Sequence, residues 1–215
     1  MIGLFGGTFD PVHHGHLRVA LDVLQHLNLA QLRLLPLAAA VHRRQPIASP
    51  EQRMAMLRTA IRDEPLLIAD DRELTRGGPS YTLDTLRSFR DELGATAPLC
   101  LLVGADAFDG FPDWHRPVDI LDLVHLIVMQ RPGAPTARDA WLRDQVEHRR
   151  TDDPAALRGR AGGHIYFHTV TQLDISATRI RRLLAQGRSP RYLLPDAVLA
   201  MARDNRCYAV PQAPA

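Results

Sequence analysis

Short apolar runs that alternate with helical spacing constrain this chain more than any other feature. Ile2–Phe5, Leu32–Leu37, Leu66–Ala69, Leu99–Val103, Leu123–Met129 and His164–Thr169 read as strands. His16–Leu27, Glu51–Ile61, Tyr81–Leu93 and Ala137–Glu147 read as helices between them. The second helix opens on Ser49-Pro50-Glu51-Gln52, which supplies an N-cap, a proline at the first helical position and a capping-box Gln. Nearly unbroken apolar strands are buried on both faces, and their alternation with helices implies parallel crossovers. The expected fold is therefore α/β, a single Rossmann-like, doubly wound parallel sheet with helices on both faces. A length of 215 residues suits one such domain over 1–210, with 211–215 as a frayed tail.

In a sheet of this kind ligands sit beyond the carboxyl ends of the strands, near the point where the winding reverses. The loops in those positions are Gly6–His16, Ala38–Ser49, Gly104–Arg116 and Gln130–Pro135, and all carry polar or unusual residues. No GxGxxG is present, so the dehydrogenase fingerprint is missing. All 26 basic residues are Arg. Without Lys there is no Walker A loop and no Schiff-base chemistry, and a phosphate clamp must come from Arg, His and backbone. The 26 basic residues are interleaved with 24 acidic ones for a net charge of +2, which argues against a nucleic-acid binder. Cys100 and Cys207 have no CxxC spacing and read as free thiols of a reducing compartment. The chain opens directly on a strand, and no apolar stretch approaches the roughly 20 residues of a membrane helix. The expectation is a cytoplasmic protein without a membrane segment.

The densest chemistry lies in the first loop, Gly6-Gly7-Thr8-Phe9-Asp10-Pro11-Val12-His13-His14-Gly15-His16. A strand, a glycine-bearing turn and a helix start form an anion site, because unpaired N–H groups and the helix dipole both favour negative charge. His13 and His16 add donors that can become cationic near neutral pH. An i, i+3 pair can instead ligate a metal, but only Asp10 stands nearby as a third ligand. His14 is expected to face elsewhere. A second block, Asp174-Ile175-Ser176-Ala177-Thr178-Arg179-Ile180-Arg181-Arg182, reads as an N-capped helix start carrying arginines. Leu102-Val103-Gly104-Ala105-Asp106 is a strand end with an acidic turn. Trp114 is either a core residue or an aromatic platform, and Gly78-Pro79-Ser80-Tyr81-Thr82 is by itself an ordinary helix start.

The first block resembles the N-terminal signature of the HxGH nucleotidyltransferases, and most closely that of bacterial nicotinate-nucleotide adenylyltransferases. The second block is similar to their Ile-Ser-x-Thr-x-Ile-Arg motif, which puts the motif arginine at Arg181. The resemblance implies adenylyl transfer from ATP to nicotinate mononucleotide, giving deamido-NAD and pyrophosphate. It implies that His13, His16 and Arg181 are catalytic, and that Gly6, Gly7, Thr8, Phe9, Gly104, Asp106, Ser176 and Thr178 contact ATP with His16 and Arg181. His42, Arg43, Thr82, Trp114 and Arg131 are the residues it implies for the mononucleotide. Where the family has Pro-Pro-His-Lys/Arg, this chain has Ala40-Val41-His42-Arg43, a less rigid loop when unbound. His115 follows Trp114 where relatives carry Tyr.

The attacking 5′-phosphate is already largely dianionic near pH 7, since its second pKa is about 6, so no general base is required. The resemblance implies Mg²⁺ held mainly by ATP phosphates and water, and points to no particular protein ligand. Rival readings are an adenylyltransferase for nicotinamide mononucleotide or phosphopantetheine, and a non-catalytic nucleotide sensor. A metal-binding regulator using His13, His14 and His16 is weaker. Cytidylyl transfer is disfavoured because its Arg-Thr-x-Gly-Ile-Ser-Thr-Thr pattern is missing. Oligomeric state is not legible.

Overall fold

The computed structural model of the protein describes residues 1–38, 45–130 and 139–208. Strands β1 (Ile2–Gly7), β2 (Gln31–Pro36), β3 (Leu67–Ala69), β4 (Leu99–Gly104), β5 (His125–Gln130) and β6 (Ile165–Thr169) form one sheet in the order β3-β2-β1-β4-β5-β6. Every neighbouring pair is parallel. The chain winds outward from β1 to β3, returns to lay β4 beside β1, and winds outward again to β6. This is the expected doubly wound α/β fold, with its reversal between β1 and β4.

The helices are α1 (His14–His26), α2 (Pro50–Ala60), α3 (Arg72–Arg76), α4 (Thr82–Leu93), α5 (Ala105–Asp109), α6 (Pro117–Leu123), α7 (Ala140–Arg149), α8 (Ala177–Ala185) and α9 (Asp196–Asp204). Successive side chains of a strand point to opposite faces, and the two cores divide accordingly. Phe5, Leu34, Cys100, Leu102 and Ile127 pack under α1, α2, α8 and α9. Leu4, Leu35, Leu101, Val103, Leu126 and Val128 pack under α4, α6 and α7. Both faces being covered is why the strands read as unbroken apolar runs.

Element boundaries moved where local signals compete. β5 starts at His125 rather than Leu123, because Pro117 opens α6 and that helix runs through Leu123, burying Ile120 and Leu121. Helix α1 starts at His14 rather than His16, which makes His13 its N-cap and draws His16 into the first turn. The capping box at Ser49 formed, with Ser49 Oγ accepting from Gln52 N–H and Gln52 Oε1 accepting from Ser49 N–H. Helix α7 starts at Ala140, where the Asp139 carboxylate caps the Leu142 N–H at 2.9 Å.

Candidate active site

Phe5 of β1 pairs with Leu102 of β4, so the two strands end side by side. Among the described residues, a Cβ placed on Gly6 or Gly104 at the winding reversal would meet nothing within 4 Å. Gly7 is different: its Cβ would lie 3.0 Å from the Phe9 ring, which folds back over it. Phe9 has φ of +48°, a conformation costly for a bulky residue, and its ring is 1% exposed. The surrounding packing holds that strain in place.

The His13 and His16 rings stack at 3.7 Å with an interplanar angle of 22°, and the Phe9 edge closes on His16 at 5.0 Å. Gly15 makes room for this arrangement, since a Cβ there would stand 3.0 Å from His13 Nδ1 and 3.6 Å from Ile175 Cβ. Burial, and secondarily His14, pushes the His13 imidazole down to about 4. Burial, and then His13, holds His16 well below the ordinary histidine range. Both imidazoles are therefore neutral near pH 7, because burial penalises the charged form and, among the described residues, neither Nδ1 has a hydrogen-bond partner. The first-turn amides are also scarcer than expected. His14 N–H donates to the Leu193 carbonyl at 3.0 Å and His16 N–H to that of His13 at 2.9 Å. The Gly15 N–H has no protein acceptor among the described residues.

Arg181 is brought to this loop from α8, whose N-cap Ser176 Oγ accepts from Arg179 N–H at 3.2 Å. Its Nη1 donates to the Asp10 carbonyl at 2.6 Å and its Nη2 to Thr178 Oγ1 at 3.2 Å. Asp10 itself is 2% exposed, and its carboxylate accepts from Ile47 N–H at 2.8 Å, Ala48 N–H at 3.1 Å and the Tyr208 hydroxyl at 2.8 Å. From α2, the buried Arg53 donates to the Thr8 carbonyl at 3.0 Å. His13, His16, Thr8, Phe9, Ser176, Thr178 and Arg181 thus stand together.

On the far side of the reversal, Asp106 is exposed on the first turn of α5. Thr82 opens α4, and the preceding Ser80 Oγ accepts from Ala38 N–H at 3.0 Å, tying this turn to the end of β2. The Tyr81 and His115 rings lie 4.9 Å apart, so the Thr82 turn and the Trp114 segment adjoin. Trp114 is half-buried and rests on Phe111 at 5.2 Å; one side belongs to the core while the residue keeps some exposure. His42, Arg43 and Arg131 lie outside the described residues, as does the 211–215 tail.

Sequence reasoning passed over Asp10 as anything but a metal ligand, and missed Arg53, Glu73 and Tyr208. Glu73 is 5% exposed and accepts from Thr85 Oγ1 at 2.8 Å; burial pushes its carboxyl upward. A carboxylate inside a glycine-rich loop was the one available signal for Asp10. Nothing local marks the other three.

The profile of the family described as cytidylyltransferase-like matches residues 4–183. The protein named "Probable nicotinate-nucleotide adenylyltransferase" in Methylococcus capsulatus is 50% identical over 210 residues, covering 97% of this chain and 100% of that one. A protein of the same name in Pseudomonas aeruginosa is 49% identical over 210 residues, covering 98% of each. Among solved structures, Plasmodium falciparum nicotinic acid mononucleotide adenylyltransferase complexed with NaAD superposes with a TM-score of 0.73 at 13% identity, over 96% of each chain. At that identity the likeness speaks for the fold.

Proposed function

The chain belongs to the nicotinate-nucleotide adenylyltransferase family, and from that premise we propose how its residues divide the reaction. The protein transfers the adenylyl group of ATP to the 5′-phosphate of nicotinate mononucleotide, giving deamido-NAD and pyrophosphate. In our reading the triphosphate lies over the first turn of α1, between the His13–His16 stack and Arg181. The single observation that carries this reading is the 2.6 Å bond from Arg181 to Asp10, which unites the two ends of the chain at one loop. The backbone of Gly6, Gly7, Thr8 and Phe9 would flank the phosphates, with Gly104 and Asp106 beside the nucleoside. Thr82 and Trp114 would take the pyridine end, where an aromatic face suits a planar cationic ring. His42, Arg43 and Arg131 complete that part of the proposal by motif alone.

Catalysis then rests on positioning and on donors aimed at charge developing on the α-phosphoryl oxygens and the departing pyrophosphate. The attacking phosphate needs no base. Neutral imidazoles still donate one N–H each, and a bound triphosphate favours their charged form. A divalent cation supplies further neutralisation of the phosphates. Among the described residues no three His, Cys, Asp or Glu side chains group into a metal cage, and the Asp10 carboxylate is occupied by three donors. In this reading Mg²⁺ is carried mainly by ATP and water. No described helix is long and apolar enough to cross a membrane, and the free thiols Cys100 and Cys207 suit a reducing cytoplasm.

The test is pyrophosphate release from ATP and Mg²⁺, with nicotinate mononucleotide, nicotinamide mononucleotide and phosphopantetheine offered separately. We expect strong preference for the nicotinate acceptor; release only with phosphopantetheine overturns the substrate, and none with any acceptor favours a sensor. His16→Ala should lower kcat by roughly 10²-fold, as loss of one preorganised donor does. Near-normal turnover in the folded variant removes His16 from the chemistry.

A further inference from the structure

We propose that Asp10, steadied by Tyr208, is a positioning residue that holds Arg181 in its ligand-ready geometry and makes ATP affinity depend on the segment after α9. The inference rests on the assignment of Arg181 to the triphosphate and goes beyond it. A buried carboxylate is tolerated only when fully partnered. Asp10 is partnered by pieces of chain that share no local sequence: Ile47 and Ala48 ahead of α2, Arg181 on α8, and Tyr208, 198 positions away. Its three neutral donors fix the plane of the carboxylate and occupy both oxygens. Arg181 therefore bonds the Asp10 carbonyl at 2.6 Å, while the nearest carboxylate oxygen stands 3.7 Å from Nη1.

The distinction matters for function. A two-pronged carboxylate fork would consume the guanidinium edge and most of its charge. A carbonyl contact orients the group and leaves much of its charge unspent, and the Arg181 side chain keeps 24% exposure. Arg53, bonded to Thr8, places a second guanidinium beside Asp10, with Glu51 also acting on it. Released from Asp10, the long arginine side chain would regain rotamer freedom that binding must then remove. Tyr208 is 5% exposed, and its phenol, pushed upward by burial and then by Asp10, remains a donor throughout the physiological range.

The experiment is a double-mutant cycle on the full chain, read by equilibrium binding of ATP with Mg²⁺. Tyr208→Phe keeps the ring and removes the bond; it should weaken ATP binding roughly 3- to 30-fold, the size of coupling expected through one contiguous network. In an Arg181→Ala background the same change should add no further loss. Equal losses in both backgrounds would mean that Tyr208 acts on the fold generally, and no loss in the wild-type background would mean that it does not act on the site; either overturns the proposal. Asp10→Asn keeps an acceptor oxygen and reads the same cycle if Tyr208→Phe folds poorly. If Arg181→Ala itself leaves ATP affinity intact, the failure lies with the triphosphate assignment instead.

Discussion

Two imidazoles stacked at 3.7 Å against a phenylalanine edge favour the neutral state, and that preference is measurable as acid lability. His13 is held at about 4 and so is His125, which is fully buried with Nδ1 accepting from His164 N–H at 3.1 Å and Nε2 facing the Arg160 carbonyl at 3.0 Å. Burial leads both shifts, and for His125 a second ring proton would also point at an N–H donor. A histidine with a lowered folded-state pKa leaves the unfolded chain binding more protons, so stability is complete above the unfolded value near 6.5 and drains as pH falls toward 4. Each such group contributes at most about 3 kcal/mol across that window. Asp22 and Asp70, whose carboxyls are held low, lose their contribution only below the ordinary carboxylate range, so the two effects separate. Urea midpoints should therefore fall steadily from pH 7 to pH 5; a flat profile there rejects buried neutral imidazoles. At this scale the motif histidines and Arg181 were legible, because each sits in a short run whose residue types already specify phosphate chemistry. Their charge state was not, since it depends on Phe9 and on burial that no spacing reveals. Asp10 and Tyr208 meet only through the fold.

Elements were legible where length or capping signals were strong and illegible where elements were short. The strands announced themselves because both faces are buried, and Ser49-Pro50-Glu51-Gln52 marked the N-cap of α2, whose span of Pro50–Ala60 lies one residue ahead of the Glu51–Ile61 read from spacing. Helices α3 and α5 are too brief to display a period, and α6 merged with β5 into one apolar run. The junction between α6 and β5 holds a constraint of another kind. Gly162 crosses it so closely that a Cβ would stand 2.4 Å from the Val124 nitrogen and 2.8 Å from the Leu123 carbonyl carbon. Both are backbone atoms, so no side-chain rotation relieves the clash. Arg90 of α4 locks the same crossing by donating to the carbonyls of Ala97 at 2.6 Å, Ala161 at 2.8 Å and Leu123. Gly162→Ala should cost about 2–3 kcal/mol, the upper range for overpacking, and lower Tm by roughly 6–10 °C. The site lies at the opposite ends of the strands, so KM for ATP in the folded fraction should hold. A thermal scan with no shift would show that the crossing yields freely.

At the scale of the whole molecule, the winding order makes the first strand central and brings the last helices back over it. β1 lies between β2 and β4, and Val198, Leu199, Ala202 and Tyr208 share a core with Phe9, Val12 and Val19. The backbone repeats the connection where Leu193 receives the His14 N–H and where Ile175 faces Gly15. A ligand seated there must order two stretches that are remote in sequence, and it stabilises the fold by about 2.7 kcal/mol at a hundredfold excess over its Kd. Openings near a binding loop come from the low end of the stability range, and those that break the site gain the full mass-action term. Hydrogen exchange with and without ATP and Mg²⁺ should then show slowing at the first turn of α1 and at the first turns of α8 together, with one concentration dependence. Local openings of the α6–β5 crossing leave the site intact and should not slow, whereas an amide there that exchanges only by global unfolding slows by the same mass-action term. Protection confined to α1 would mean that the triphosphate rests on the histidines alone. Arg181 would then belong to the scaffold rather than to the clamp.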